Sequence, residues 1–232
     1  MLLQTLKDTG QKFIVNNSNL SIIKDSINRA MNFMTSQEYL TLKDELNNKV
    51  KRVEKAILAA SRIDNVNLRG RIIEYLIEGP EDDTKINVIN NLINGHPLPE
   101  DVQTVNTLGD YKRSFEKYTI ETDIKTKIML AKSSNPKGYN IDKLLRFLSQ
   151  DKSVYMIYLI GINPETEEIK LKLCSMFDKN LNGRIYDHWA GRNSRGEFQF
   201  DGTNLENALT TNDNTLIDKN YAIEFLQKLI ES

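Results

Sequence analysis

The stretch Tyr118-Thr119-Ile120-Glu121-Thr122-Asp123-Ile124-Lys125-Thr126-Lys127-Ile128 reads as a β-strand with two chemically opposite faces. Strand geometry sends alternate side chains to opposite sides, so Tyr118, Ile120, Ile124 and Ile128 point into a core while Glu121, Asp123, Lys125 and Lys127 share the other face. Asp123 and Lys125 then have Cβ atoms roughly 6.5–7 Å apart by strand rise. At that spacing a carboxylate can hold a divalent cation while the ammonium touches the same water or phosphate, a layout suited to cutting phosphodiester bonds. The competing reading is an ordinary solvated sheet face on which cross-strand neighbours neutralise the charges.

Working outward, Tyr111 to Phe115 is expected to pair with this strand as a hairpin, which returns Asp110 alongside Asp123 as a second carboxylate. Two converging carboxylates suit Mg²⁺, which prefers hard oxygen ligands, and the Ile124 carbonyl is available as a backbone ligand. Downstream, Asn140 or Asp142 is placed to cap a helix carrying Ile141, Leu144, Leu145, Phe147 and Leu148. Val154 to Ile162 is a nearly unbroken apolar run, the mark of a strand covered on both faces. Ile169, Leu171 and Leu173 alternate with Lys170 and Lys172, giving a half-exposed strand, and Tyr221 to Ile230 is an amphipathic helix. Strand, helix, buried strand and strand, flanked by helices, make an α/β three-layer domain.

Upstream, the periodicity from Leu20 to about Gly95 is helical. Thr35 and Glu38 have capping-box spacing at the head of a long helix through Leu42, Leu46, Val50, Val53, Ile57 and Leu58. Further helices are expected over 68–78, stopped by Gly79-Pro80, and over 84–94, ended by Gly95. The stiff Pro97-Leu98-Pro99 segment divides a helical region, 1–97, from an α/β core, 98–232.

The 232 residues and 39% hydrophobic content suffice for a real core, and a net charge of −1 gives no global field to draw in a polyanion. A nucleic-acid surface must therefore be local. Between Asp110 and Arg146 the chain carries nine Lys or Arg against five acids. Cys174, the single cysteine, excludes an internal disulfide and reads as a buried thiol in a reducing compartment. His96 and His188 are too few and too far apart to argue for a histidine-metal nuclease. Met1 to Asp8 lacks a basic start and a long apolar stretch, and no segment approaches a membrane span, so a soluble, cytoplasmic protein without a membrane partner is expected.

Asp110 followed by Asp123-Ile124-Lys125 resembles the PD-(D/E)xK nuclease signature, and Asp123-Ile124-Lys125-Thr126 is similar to the catalytic strand of several type II restriction endonucleases. Ser134-Asn135-Pro136-Lys137, Tyr139-Asn140-Ile141-Asp142-Lys143 and His188-Trp189-Ala190-Gly191-Arg192-Asn193-Ser194-Arg195-Gly196 also look like strings from such enzymes, a likeness covering roughly residues 105–200. The resemblance implies a restriction-endonuclease-like mixed central sheet flanked by helices, with a helical N-terminal half. It implies that Asp110 and Asp123 bind Mg²⁺ while Lys125 orients or activates water and stabilises the phosphate. Glu74 resembles the helix acid that some of these enzymes aim at the metal, or else is a polar-face residue beside Arg71. Glu121 is a candidate ligand of a second ion, or pairs with Lys127. Gly109 departs from the pattern, standing where the family has proline.

Lys127, Lys132 and Lys137 are candidate phosphate contacts, which position DNA without reading it. Arg192, Asn193 and Arg195, bracketed by Gly191 and Gly196, are candidates for base contacts, because Arg suits guanine and Asn suits adenine; a polar surface turn is the alternative. Trp189 is expected to anchor this loop. The activity implied is Mg²⁺-dependent hydrolysis of both strands of duplex DNA at a short site, leaving 5′-phosphate ends, with a cognate methyltransferase as a genetic partner. A palindromic site is matched most economically by a homodimer, with the N-terminal helices supplying its surface. Two alternatives stand beside this reading: another nuclease of the same superfamily, for repair or junction resolution, and a DNA-binding or helical interaction protein in which the DxK strand is incidental.

Overall fold

The computed structural model describes residues 12–78, 108–131, 135–186, 194–211 and 217–232. Among them the chain is mixed α/β, with seven helices and two sheets. The helices expected over 84–94, the Pro97-Pro99 seam, Trp189, His96 and His188 lie outside the described residues.

Four helices come first: α1 (Asn17–Met34), α2 (Gln37–Arg52), α3 (Glu54–Ser61) and α4 (Val66–Glu78). Asn16 caps α1 through a reciprocal box with Asn19. The cap of α2 is Ser36, not Thr35, and its side chain accepts the Tyr39 amide at 3.2 Å; Thr35 instead closes α1. The long helix expected through Leu58 is two, because the chain kinks at Val53, whose amide bonds back only three residues to Val50.

The main sheet has the order β1-β2-β4-β5, built from β1 (Tyr111–Ser114), β2 (Thr119–Ile128), β4 (Ser153–Asn163) and β5 (Glu168–Ser175). The β1–β2 and β4–β5 pairs are antiparallel and β2–β4 is parallel. The parallel step requires a crossover, supplied by β3 (Lys137–Asn140) and α5 (Ile141–Leu148), which Asn140 caps by accepting the Lys143 amide. A second, three-stranded antiparallel sheet has the order β3-β7-β6, with β6 (Gly183–Tyr186) and β7 (Glu197–Phe200). Helices α6 (Gly202–Thr210) and α7 (Lys219–Glu231) complete the described chain. The second sheet has no counterpart among the sequence expectations, since strands of four residues carry too few alternations to register, and α6 has none either.

One continuous core joins the two halves. The apolar faces of α1 and α2, carried by Ile23, Ile27, Ala30, Phe33, Leu42, Leu46 and Val50, are buried against the chain's own sheet and helices. These faces, which suggested a dimer surface, are therefore already covered. Polar bonds reinforce the packing. Tyr158 of β4 donates to Asn47 of α2 at 2.8 Å, and Tyr39 donates to the Leu173 carbonyl at 3.0 Å. Buried Arg29 of α1 donates to the carbonyls of Leu148 and Ser153, tying α1 to the end of α5 and the start of β4. No helix among the described residues is long and apolar enough to cross a membrane.

Candidate active site on the second strand

Strand β2 is not a solvated face. Glu121, Asp123 and Lys127 are buried, as are Ile120 and Ile124 on the other side. Parallel pairing with β4 sets Tyr155 beside Glu121, Ile157 beside Asp123 and Leu159 beside Lys125, so apolar and aromatic groups flank the charges. Charges in such a setting must be paired or must shift their protonation.

The hairpin places Asp110 where the sequence expected it. Its amide donates to the Thr122 carbonyl at 2.9 Å, and its Oδ2 accepts the Ile124 amide at 2.6 Å. Lys125 Nζ donates to Asp123 Oδ1 at 2.8 Å. Asp123 Oδ2 is buried and has no hydrogen-bond partner. Burial pushes the Asp123 carboxyl well above its ordinary range; Lys125 opposes this, and Asp110 reinforces it. Burial also disfavours the Lys125 ammonium, but Asp123, Asp110 and Glu74 together outweigh it and leave the lysine more firmly protonated than usual. Asp110, Asp123 and Lys125 are thus one electrostatic unit.

Helix α4 packs on β2 and brings Glu74 to the same unit. Burial lifts its carboxyl from 4.5 to about 7, Lys125 pulls it down, Asp110 pushes it up and Arg71 pulls it down. Glu74 thus senses the charges of Lys125 and Asp110 more strongly than that of Arg71. Glu121 belongs elsewhere. It forms an ion pair with Lys112 at 3.0 Å, its cross-strand neighbour, and accepts the Gly109 amide at 3.1 Å. Its structural pairing is therefore with Lys112 and not with Lys127.

Gly109 follows from the same closeness. A Cβ there would sit 3.1 Å from Glu121 Cβ and from the Thr122 nitrogen. Proline would add this clash and remove the amide that Glu121 accepts. Tyr155 braces the turn by donating to the Leu108 carbonyl at 3.2 Å, and Tyr139 packs edge-on against Tyr155 with ring centroids 5.4 Å apart.

The residues present fit Mg²⁺ as a pair of carboxylates rather than as a finished cage. Among the described residues no three His, Cys, Asp or Glu side chains are gathered as a metal site. Asp123 Oδ2 is orphaned and the Asp110 carboxylate disfavours a second negative charge on Asp123, a strain that a shared proton or a cation would relieve. Thr122 and Ile124 both direct backbone groups to the edge where Asp110 sits, so the Ile124 carbonyl lies along that edge.

The candidate DNA contacts divide. Lys127 is buried, donating to the Ala131 carbonyl at 3.0 Å and pairing with Glu206 at 3.3 Å, so it is not presented to a phosphate. Arg195 is buried as well: it donates to Asp142 and to the Phe13 carbonyl, both at 2.6 Å, and to the Ile230 carbonyl at 3.0 Å. It is a structural tie between the N-terminal segment, α5 and α7. Asp142, committed to Arg195 and to the Phe13 amide, is correspondingly not the α5 cap. Lys137 is exposed on β3, and Lys132, Arg192 and Asn193 lie outside the described residues. The lysine and arginine excess after Asp110 is partly cancelled, since Arg113 is paired with Glu45 at 2.9 Å and Lys112 with Glu121. Cys174 is buried, and burial raises its thiol pKa.

No protein-family model matches the chain, and no curated protein matches it.

Proposed function

We propose that the protein is a Mg²⁺-dependent endonuclease acting on duplex DNA, of the PD-(D/E)xK type and, within it, a type II restriction endonuclease with a restriction-endonuclease-like core. The observation that carries this reading is the convergence of Asp110 and Asp123 across a hairpin, with Lys125 held on Asp123 at 2.8 Å. The mixed sheet, with the site at the edge of its second strand, supports it.

In this mechanism Asp110 and Asp123, with the Ile124 carbonyl, would hold Mg²⁺, which when bound supplies Lewis-acid polarisation of the phosphate and a lowered pKa for water. The remaining work belongs to the chain. Lys125, kept protonated by three carboxylates, donates to a nonbridging phosphate oxygen as negative charge builds in the pentacoordinate state. Asp123 holds that ammonium in place through Oδ1. Glu74, with its carboxyl near 7, is suited to take a proton from the attacking water at neutral pH.

Phage DNA incubated with the purified protein, with and without Mg²⁺, tests the reading once the ends are sequenced. Discrete fragments with 5′-phosphate ends, dependent on Mg²⁺, are expected. Random nicking would favour a repair or junction-type nuclease, and no cleavage in any divalent metal would reject catalysis altogether.

A further inference from the structure

The second sheet has one face in the core and one in the open. Tyr139 is stacked on Phe198 with centroids 5.2 Å apart and meets Phe200 edge-on at 6.0 Å, which fixes the buried face. Alternation along β7 turns Gln199 and Glu197 away from buried Phe198 and Phe200, and the register of β3 shifts between Lys137 and Asn140, so Lys137 shares the outward face of its partner Gln199 although Tyr139 is buried. Lys137, Gln199 and Arg184 consequently form one row across β3, β7 and β6, with Gln199 directly opposite both of the others. Tyr186 and Glu197 form the next pair. These residues line a cleft of about 320 Å³, and an adjoining cleft of about 220 Å³ shares Asn135, Arg184 and Gln199.

We infer that this outward face of the β3-β7-β6 sheet is the surface that reads base edges in the major groove of duplex DNA, with Arg184 and Gln199 as the specificity-determining pair. The inference rests on the nuclease reading and assigns its sequence discrimination. The row suits the task in three ways. At the usual strand spacing, Lys137 to Arg184 spans about 10 Å, inside the roughly 12 Å width of the major groove. Arginine and glutamine offer the bidentate patterns that match guanine and adenine. Both are also prepared for use. Gln199 Nε2 is fixed on the Asn135 carbonyl at 2.6 Å, while Arg184 is exposed, lies over the Tyr186 ring at 4.4 Å and pairs with no carboxylate among the described residues. A solvated arginine held by a ring face keeps its fork of donors available. Glu197 in the same cleft adds an acceptor for a cytosine amine.

The test separates this assignment from catalysis. A pool of randomised duplexes is selected on wild-type protein in EDTA and on the Lys125→Ala protein in Mg²⁺, and the selections are repeated with Arg184→Ala and Gln199→Ala, each checked for an unchanged melting temperature. The expected result is a short enriched motif in which each substitution relaxes one base pair, lowering discrimination there about ten-fold or more. Variants that enrich the same motif with undiminished discrimination, or that weaken all sequences equally as phosphate contacts do, overturn the inference. So does a wild-type protein that enriches no motif. A motif enriched through Arg184 and Gln199 by a protein that never cuts phage DNA would keep the reading surface and reject the nuclease.

Discussion

Ile124 gives its backbone amide to the Asp110 carboxylate at 2.6 Å, so the hairpin positions this acid with the strand that carries Asp123. One Asp110 oxygen is thereby held by the backbone, while Asp123 is held by Lys125. Each carboxylate disfavours a negative charge on the other.

Removing either chemical partner is expected to abolish cutting without unfolding the chain. Lys125→Ala loses the donor to the developing charge and is expected to slow cleavage by about 10²–10³-fold. Asp123→Asn is expected to eliminate cleavage, because the amide cannot hold the cation, while its oxygen can still accept from Lys125 and the chain stays folded. Cleavage assays paired with thermal melting decide both. Wild-type rates in Asp123→Asn would remove the catalytic assignment.

Stability of the metal-free protein is expected to fall as pH rises from about 4.5 through about 7. The sign follows from Glu74, whose folded carboxyl is raised from 4.5 to about 7: the fold keeps a proton that the unfolded chain has released, so the advantage is complete at low pH and is lost on passing through the folded value. Asp123, also raised, acts in the same direction. Glu74→Gln should flatten the slope by at most about 1.4 kcal/mol per pH unit. Melting curves in EDTA over this range measure it.

Mg²⁺ is expected to stabilise the folded protein by relieving Asp110–Asp123 repulsion. At a hundredfold excess over the dissociation constant the gain is about 2.7 kcal/mol. It should vanish in Asp110→Ala or Asp123→Ala. Equal Mg²⁺ shifts in those variants would place the ion elsewhere.

Breaking the Arg195–Asp142 pair is expected to cost stability rather than sequence discrimination. Both side chains are over nine-tenths buried, with 6% and 7% exposure, so Asp142→Ala strands a buried charge at a cost of about 3–5 kcal/mol. Denaturant unfolding measures the loss.

Gly109→Pro would bring this chain nearer the PD-(D/E)xK pattern of the proposed reading and is expected to harm it. The added ring meets Glu121 and Thr122, and Glu121 loses its amide donor, for a loss of about 1–3 kcal/mol. An unchanged melting temperature would show that the turn relaxes.

What the sequence determined by itself was everything written in local periodicity. The alternation of β2 with its Asp123–Lys125 pair, the apolar run of β4, the lysine-punctuated β5 and the amphipathic α7 are all legible, because an alternating or helical face persists for eight residues or more. The hairpin that returns Asp110 was legible too, being short range. Only the tertiary structure decided which charges are buried. Lys127 and Lys137 look alike in the chain, yet one is sealed beneath Glu206 of α6 and the other stands exposed. Arg195 reads as a loop arginine until Asp142, 53 positions away, closes on it. Pairing of buried charges depends on neighbours brought from distant segments, and a local pattern carries no record of them.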